Sequence, residues 1–279
     1  MLDLDNSPDT RRNFIGASDA PVLMEVSPWK TSYQLWEEKV GLRENEGDNW
    51  AKKWGRLKEE EARQEFERQT GLIVFPQRFV HPELEWMVAT LDGIDIERKD
   101  IVEIKCPGKI DHESAMDGVI PEKYIPQLVH QMIVMNLDRA YYFSYHPSSN
   151  KILELGLDSA YAKTLLDKEK AFWNNVQTLT APPLTERDYI PKEDLTWKET
   201  ANEWLGIQAQ LQALQEREEA LRQNLISMSG KSNVKGAGIK LSRVLRKGHI
   251  EYKNIPELKG VDLEKYRKES SESWRIGKC

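Results

Sequence analysis

Cysteine is nearly absent from this chain: two residues among 279, Cys106 and Cys279. Two thiols cannot hold an iron–sulfur cluster, and their scarcity points to a reduced, cytoplasmic protein rather than a disulfide scaffold. The five histidines, His81, His112, His130, His146 and His249, have none of the spacings of a zinc site. No apolar run approaches the ~20 residues that cross a bilayer, and residues 1–12 are too polar for a secretory signal. A Gly-rich phosphate loop and a Ser-centred nucleophile elbow are both missing. Positive charge is not in excess either. A net charge of −6 excludes a surface coated in cations for nucleic-acid binding, while leaving room for a local basic site.

What is present is core-forming material. Hydrophobic residues make up 39% of the chain and charged residues 31%, with nine Trp and nine Tyr, which suits a packed globular protein rather than a disordered one. Residues 1–13 read as a leader ending in Arg11-Arg12. Ser18 caps a short helix over "DAPVLMEV", "SYQLWEEKVG" is a helix closed by Gly41, and residues 49–69 form the strongest early helix. Strands follow near 72–80, 85–91, 94–97 and 101–106. "PEKYIPQLVHQMIVMNL" is a helix with Pro126 in its first turn, then "AYYFSYH" and "KILELGL" are strands, and residues 158–178 are helical up to Pro182-Pro183.

Beyond residue 196 the texture changes. Trp204, Ile207, Leu211, Leu214, Leu221, Leu225 and Met228 recur by threes and fours, with Glu218 interrupting. This is one apolar stripe along a helix of about thirty residues, suited to a packing helix and, as the second choice, to a coiled coil. A Gly-hinged hairpin rich in Lys and Arg follows it. The expected division is 1–195 and 196–279.

The informative stretch is "LDGIDIERKDIVEIKCPG", residues 91–108. In an alternating strand Glu103 and Lys105 share a face. A two-residue loop at Arg98-Lys99 sets Ile96 opposite Ile101, Ile94 opposite Glu103 and Asp92 opposite Lys105, with Gly93 able to shift that register through a bulge. Asp92, Glu103 and Lys105 then cluster, and two carboxylates so close repel unless a cation lies between them. An all-oxygen donor set, to which the Ile104 carbonyl can add, favours Mg²⁺ or Mn²⁺ over zinc. Lys105 would orient an attacking water or stabilise charge on a phosphate. The bland alternative is an exposed hairpin with an ordinary salt bridge. In the preceding helix Gly55, Glu59, Ala62 and Phe66 form one stripe, so Glu59 is expected to face inward as a further ligand. Gln127 and Gln131, one turn apart on an apolar helix, can bond a water or phosphate in the site, or local backbone.

These motifs, "RRNFIGASDAPVLM", "WGRLKEEEAR", "LDGI", "VEIKCP" and "YIPQLVHQM", occur in an order that resembles the phage lambda exonuclease and viral recombinase (YqaJ-type) family of the PD-(D/E)XK nucleases. The Pro of the superfamily name is absent, since Thr90-Leu91 precede Asp92. The resemblance spans residues 11–135 and implies an α/β, restriction-endonuclease-like core, a mixed sheet flanked by helices, with a C-terminal helix and small β-rich appendage. It implies Asp92, Glu103 and the Ile104 carbonyl as metal ligands. Glu59 would complete a second Mg²⁺ site or position water, Lys105 and Gln127 would orient the nucleophile, and Arg11 with Ser18 would hold a DNA 5′ phosphate, with Arg12 as a rival. It further implies 5′-to-3′ degradation of duplex DNA ends in the cytoplasm of a phage or prophage host, a ring-shaped homotrimer, and a single-strand annealing protein as partner. The tail beyond about residue 196 is outside the resemblance.

Overall fold

The computed structural model of the chain describes residues 11–44 and 50–243, with the side chains of 50–56 excepted; most of the expected leader and everything after residue 243 lie outside them. Two units divide the chain, Met1–Ile190 and Pro191–Cys279.

The first unit is built on a six-stranded mixed sheet. Its strands are β1 (Ile15–Gly16), β2 (Val74–Val80), β3 (Met87–Asp95), β4 (Ile101–Lys105), β5 (Arg139–His146) and β6 (Ser149–Gly156). β3 pairs antiparallel with β2 and β4, β4 runs parallel to β5, and β5 is antiparallel to β6. The two-residue β1 lies parallel to the start of β3, with Gly16 beside Val88. Val88 also pairs with Val80 of β2, so β1 and β2 occupy opposite edges of β3. β1 therefore shares an edge with β4, which pairs with β3 only through Gly93 and Ile94. Beyond that pair β3 and β4 leave a fork between them, and β1 lies in it.

Helices cover both faces. Helix α3 (Trp50–Thr70) places Ala62 and Phe66, both fully buried, against Val102, Ile104 and Phe143. On the other face lie α1 (Ala20–Leu23), α5 (Ile125–Met135) and α6 (Ser159–Gln177). There Leu128, Val129 and Met132 pack on Met87, Leu91, Ile101 and Tyr142. Local rules set the ends of these helices: Thr31 caps α2 (Ser32–Lys39), Pro126 opens α5, left-handed Asn136 closes it at φ 53°, and Asp158 caps α6. A further helix, α4 (Lys109–Met116), follows Pro107-Gly108 and was not anticipated.

Two expectations are corrected. The strands expected at 85–91 and 94–97 are one continuous β3, and the hairpin register differs. Ile94 sits opposite Ile101, not Glu103, and Ile96 is exposed. The reason is Asp95. Its carboxylate accepts hydrogen bonds from the backbone N–H groups of Glu97, Lys99 and Asp100, which widens the turn to residues 96–99. Gly93 does bulge: Phe75 and Gln77 pair with Ile94 and Leu91, so Asp92 and Gly93 together face Pro76, which has no N–H to offer. A Cβ on Gly93 would lie 2.7 Å from Val102 Cγ1 and 2.8 Å from Val74 Cγ2, so the close approach requires glycine.

In the second unit, α7 (Leu195–Met228) runs for 34 residues, and a small antiparallel pair, β7 (Val234–Gly236) and β8 (Ile239–Leu241), follows. No residue of α7 is buried, so its apolar stripe is not the core-facing surface first expected of a packing helix. Among the described residues no helix is long and apolar enough to cross a membrane.

Candidate functional site

The bulge and the fork create the site. After Gly93 the β3–β4 ladder ends, and the Asp92 carboxylate replaces it by accepting the Ile104 N–H at 2.9 Å. Within a strand the N–H and C=O of one residue project to the same edge, so the Ile104 carbonyl lies on the edge that Asp92 caps. Reversal of the β3 pleat at the bulge brings Asp92 beside Glu103. Burial, then the Glu103 charge, raises the Asp92 pKa well above the usual carboxylate range.

Glu103 is 1% exposed. Three donors hold it: Lys105 Nζ and Gln127 Nε2 (2.6 Å) at Oε1, and Gln131 Nε2 (2.5 Å) at Oε2. Both glutamines of α5 thus meet the carboxylate itself, and Gln131 Oε1 is buried with no partner among the described residues. Burial opposes a charge on Lys105, yet Glu103 and Asp92 outweigh it, so the ammonium keeps its proton. Cys106, next in line, has its thiol pushed up to about 11 by burial and the Asp92 charge, which keeps it from acting as a thiolate.

Asp92, Glu103, Lys105 and Gln127 share an open cleft of about 220 Å³ with Arg11 and Ser18. The fork explains the meeting, because β1 enters it and delivers the segment on either side of Ile15–Gly16. Arg11 Nη2 donates to Ser18 Oγ at 3.3 Å, and both side chains remain exposed. Asp19, the nearby anion that would repel a phosphate, is neutralised by Lys39 at 2.7 Å. Burial opposes its ionisation but Lys39 outweighs that, and the Asp19 pKa is lowered. The Lys39 ammonium also donates to the carbonyls of Phe14 and Arg11, fixing the backbone that carries the pocket. Helix α1 has four residues, too few for a strong macrodipole. Arg12 turns aside, with its guanidinium against Gly41.

Glu59 stands apart from the carboxylate pair. It is held by Arg63 at 2.8 Å and retains 34% of its side-chain exposure, although its charge still reaches Asp92. Arg63 Nε donates to the Asp92 carbonyl at 3.0 Å, so this arginine, which the sequence did not single out, ties the helix to the bulge. Among the described residues no three His, Cys, Asp or Glu side chains converge. What remains is a two-carboxylate, one-carbonyl donor set. Asp92 Oδ1 accepts no hydrogen bond among the described residues, and Glu103 Oε2 accepts one, so lone pairs are open to a cation. These residues fit one hard, oxygen-seeking ion.

Comparison with known proteins bears on the domain and its fold. Residues 8–138 match the model of the YqaJ-like viral recombinase domain. The YqaJ protein of Bacillus subtilis strain 168, itself uncharacterised, is 29% identical over 238 residues, covering 77% of this chain and 75% of that one. Among solved structures, LHK-Exo in complex with dAMP superposes with a TM-score of 0.55 at 23% identity, covering 61% of this chain and 91% of that one. LHK-Exo, an alkaline exonuclease from Laribacter hongkongensis, gives the same score at 22% identity, covering 62% of this chain and 92% of that one. The fold is shared with these.

Proposed function

Because residues 8–138 match the model of the YqaJ-like viral recombinase domain, we propose that the chain is a Mg²⁺-dependent deoxyribonuclease that degrades duplex DNA ends 5′ to 3′. Its product would be 3′ single strands for annealing-type recombination. The observation that carries this reading is the meeting, in one cleft, of a carboxylate pair with its lysine and of the Arg11–Ser18 pair. The first is equipped for phosphodiester hydrolysis and the second for an anion.

Asp92, Glu103 and the Ile104 carbonyl would hold Mg²⁺, with Mn²⁺ able to substitute. When bound, the ion supplies charge for the attacking and leaving oxygens and lowers the pKa of water. The protein's own groups do the rest. Gln127 and Gln131 fix the rotamer of Glu103, so the carboxylate is already placed. Lys105, cationic and hydrogen-bonded to Glu103, lines the same cleft and would stabilise charge developing on a scissile phosphate there. Arg11 and Ser18 grip the terminal 5′ phosphate and set which bond lies over the carboxylates. A second ion at Glu59 would require that carboxylate to leave Arg63. A homotrimeric ring and a single-strand annealing protein partner belong to the same proposal, as does a bacterial cytoplasmic setting.

An endonuclease could use the same hairpin, so the test is topological. Linear 5′-phosphorylated duplex and closed circular duplex are incubated with Mg²⁺ or with EDTA. Loss of the linear form alone, only with Mg²⁺, supports the reading; opening of the circle makes the enzyme an endonuclease, and no cleavage of either removes the nuclease.

A further inference from the structure

Trp29 is a large aromatic that the fold displays rather than hides. Its side chain is 66% exposed, whereas Trp36 is buried and Trp86 and Trp173 are half-buried in the same unit. The segment that carries it is pinned. Ser27 is 5% exposed, its hydroxyl accepts the N–H groups of Trp29 and Lys30 at 3.3 and 3.4 Å, and its carbonyl accepts Arg187 Nη1 at 3.0 Å. Pro28 precedes the Trp and restricts the same turn. An indole held in water on an ordered backbone is pre-organised for a ligand, because little conformational freedom remains to be lost on contact.

Its position says which ligand. Lys123 Nζ lies 5.1 Å from the Trp29 ring centre and 5.4 Å from that of Tyr124, and Lys105 Nζ lies 5.6 Å from the same Tyr124 ring. Three such steps place the indole within about 16 Å of the Lys105 ammonium, fewer than five rises of ~3.4 Å per nucleotide in a duplex. Asp111 fixes Lys123 at 2.7 Å, so the cation beside the indole is itself oriented, while two-thirds of Trp29 stays exposed to a partner.

We propose that Trp29 is a stacking platform for a nucleobase of the DNA end held in the cleft, an inference that rests on the nuclease reading above. The contact is to the base face and is independent of sequence, since every base offers a π-surface. Trp29 is a substrate-positioning residue: it sets the path of the strand beyond the cleaved bond and takes no part in moving a proton or holding an ion.

The test uses the full chain, in EDTA for binding and in Mg²⁺ for turnover, with duplexes carrying 2-aminopurine at each of the first five positions from either terminus. Wild type should quench the fluorophore at one or two positions. Trp29→Ala should abolish that quenching, weaken binding of order ten-fold, and place its loss in KM rather than kcat, while Trp29→Phe recovers most of both. Equal quenching and affinity in wild type and Trp29→Ala would overturn the proposal and leave the exposed indole to a protein partner. Failure of the nuclease reading looks different: wild type itself would neither bind nor cut the duplex, and this inference would fall with it.

Discussion

A lysine wedged against two carboxylates keeps its proton, and Lys105 is in that position: Glu103 and Asp92 outweigh the burial that opposes its charge. Lys105→Ala is expected to leave Mg²⁺ and DNA binding in place while cleavage falls by at least ~10²-fold, the scale for one aligned electrostatic stabiliser. Single-turnover rates beside binding isotherms check this, and a near-normal rate would remove Lys105 from the mechanism. The two neighbouring arginines separate in the same way. Arg11 reaches Ser18 and the cleft, and Arg12 lies against Gly41. Wild type should digest 5′-phosphorylated duplex faster than 5′-hydroxyl duplex, Arg11→Ala should erase most of that preference, and Arg12→Ala should keep it. Reversal of the two would mean that the phosphate pocket is built around Arg12. Much at this scale was legible in the sequence, because acid–base chemistry needs particular residue types at short spacings: Asp92, Glu103, Lys105 and Gln127 all reach one cleft. Glu59 was read as inward-facing because Gly55, Ala62 and Phe66, small or apolar, share its stripe, and Ala62 and Phe66 are indeed buried. One turn further along the helix, Arg63 takes its carboxylate instead, and an i, i+4 ion pair leaves no trace in an apolar pattern.

The elements place these residues through two devices. The first is the bulge at Asp92–Gly93. Gly93→Ala is expected to cost about 1–3 kcal/mol, since its Cβ would press on Val102 and Val74 on both sides. A denaturant midpoint unchanged from wild type would show that the two valines can move aside. The second is a buried ion pair between α5 and α6. His130 and Glu169 are both 0% exposed, with Nδ1 2.7 Å from Glu169 and Nε2 3.1 Å from the Val88 carbonyl. Both ring nitrogens face acceptors, so both must donate, and the ring that does so is the imidazolium. Burial opposes that charge, but Glu169 and the Val88 carbonyl outweigh it, and the His130 pKa is raised. A raised folded-state pKa contributes stability that is complete below the unfolded value of about 6.5 and disappears as pH rises through the folded value. Wild-type Tm should therefore fall from pH 6 towards alkaline pH by an amount that His130→Gln lacks; parallel Tm profiles would mean that the ring is neutral throughout. This pair was invisible in the sequence. Its partners lie 39 residues apart on two helices, and neither periodicity nor local spacing links them. The hairpin register was missed for a related reason, because the turn is dictated by one side chain, Asp95, closing on its own backbone rather than by the Arg98-Lys99 dipeptide.

At the scale of the molecule, a net charge of −6 is compatible with the proposed DNA substrate because of where the cations sit. Arg11 and Lys105 line the cleft, whereas carboxylates such as Glu60 and Glu65 form ion pairs on the outer face of α3. Every residue of the proposed site lies in the first unit, and the second contributes a long exposed helix whose stripe the sequence described and whose occupant it could not name. Individual strands and helices followed from sequence patterns, and the mixed sheet from the family resemblance; the fork between β3 and β4, which makes the cleft, depends on a bulge that the sequence allowed at Gly93 and the strand pairing fixes. The central claim is that this fork hydrolyses DNA from its 5′ ends through Asp92. It is tested most directly by following nucleotide release from linear duplex labelled at the 5′ terminus of one strand and the 3′ terminus of the other, in Mg²⁺, with wild type and Asp92→Asn. The account predicts that 5′ label is released first by wild type and not at all by Asp92→Asn; release of the 3′ label first, or an Asp92→Asn rate equal to wild type, would contradict it.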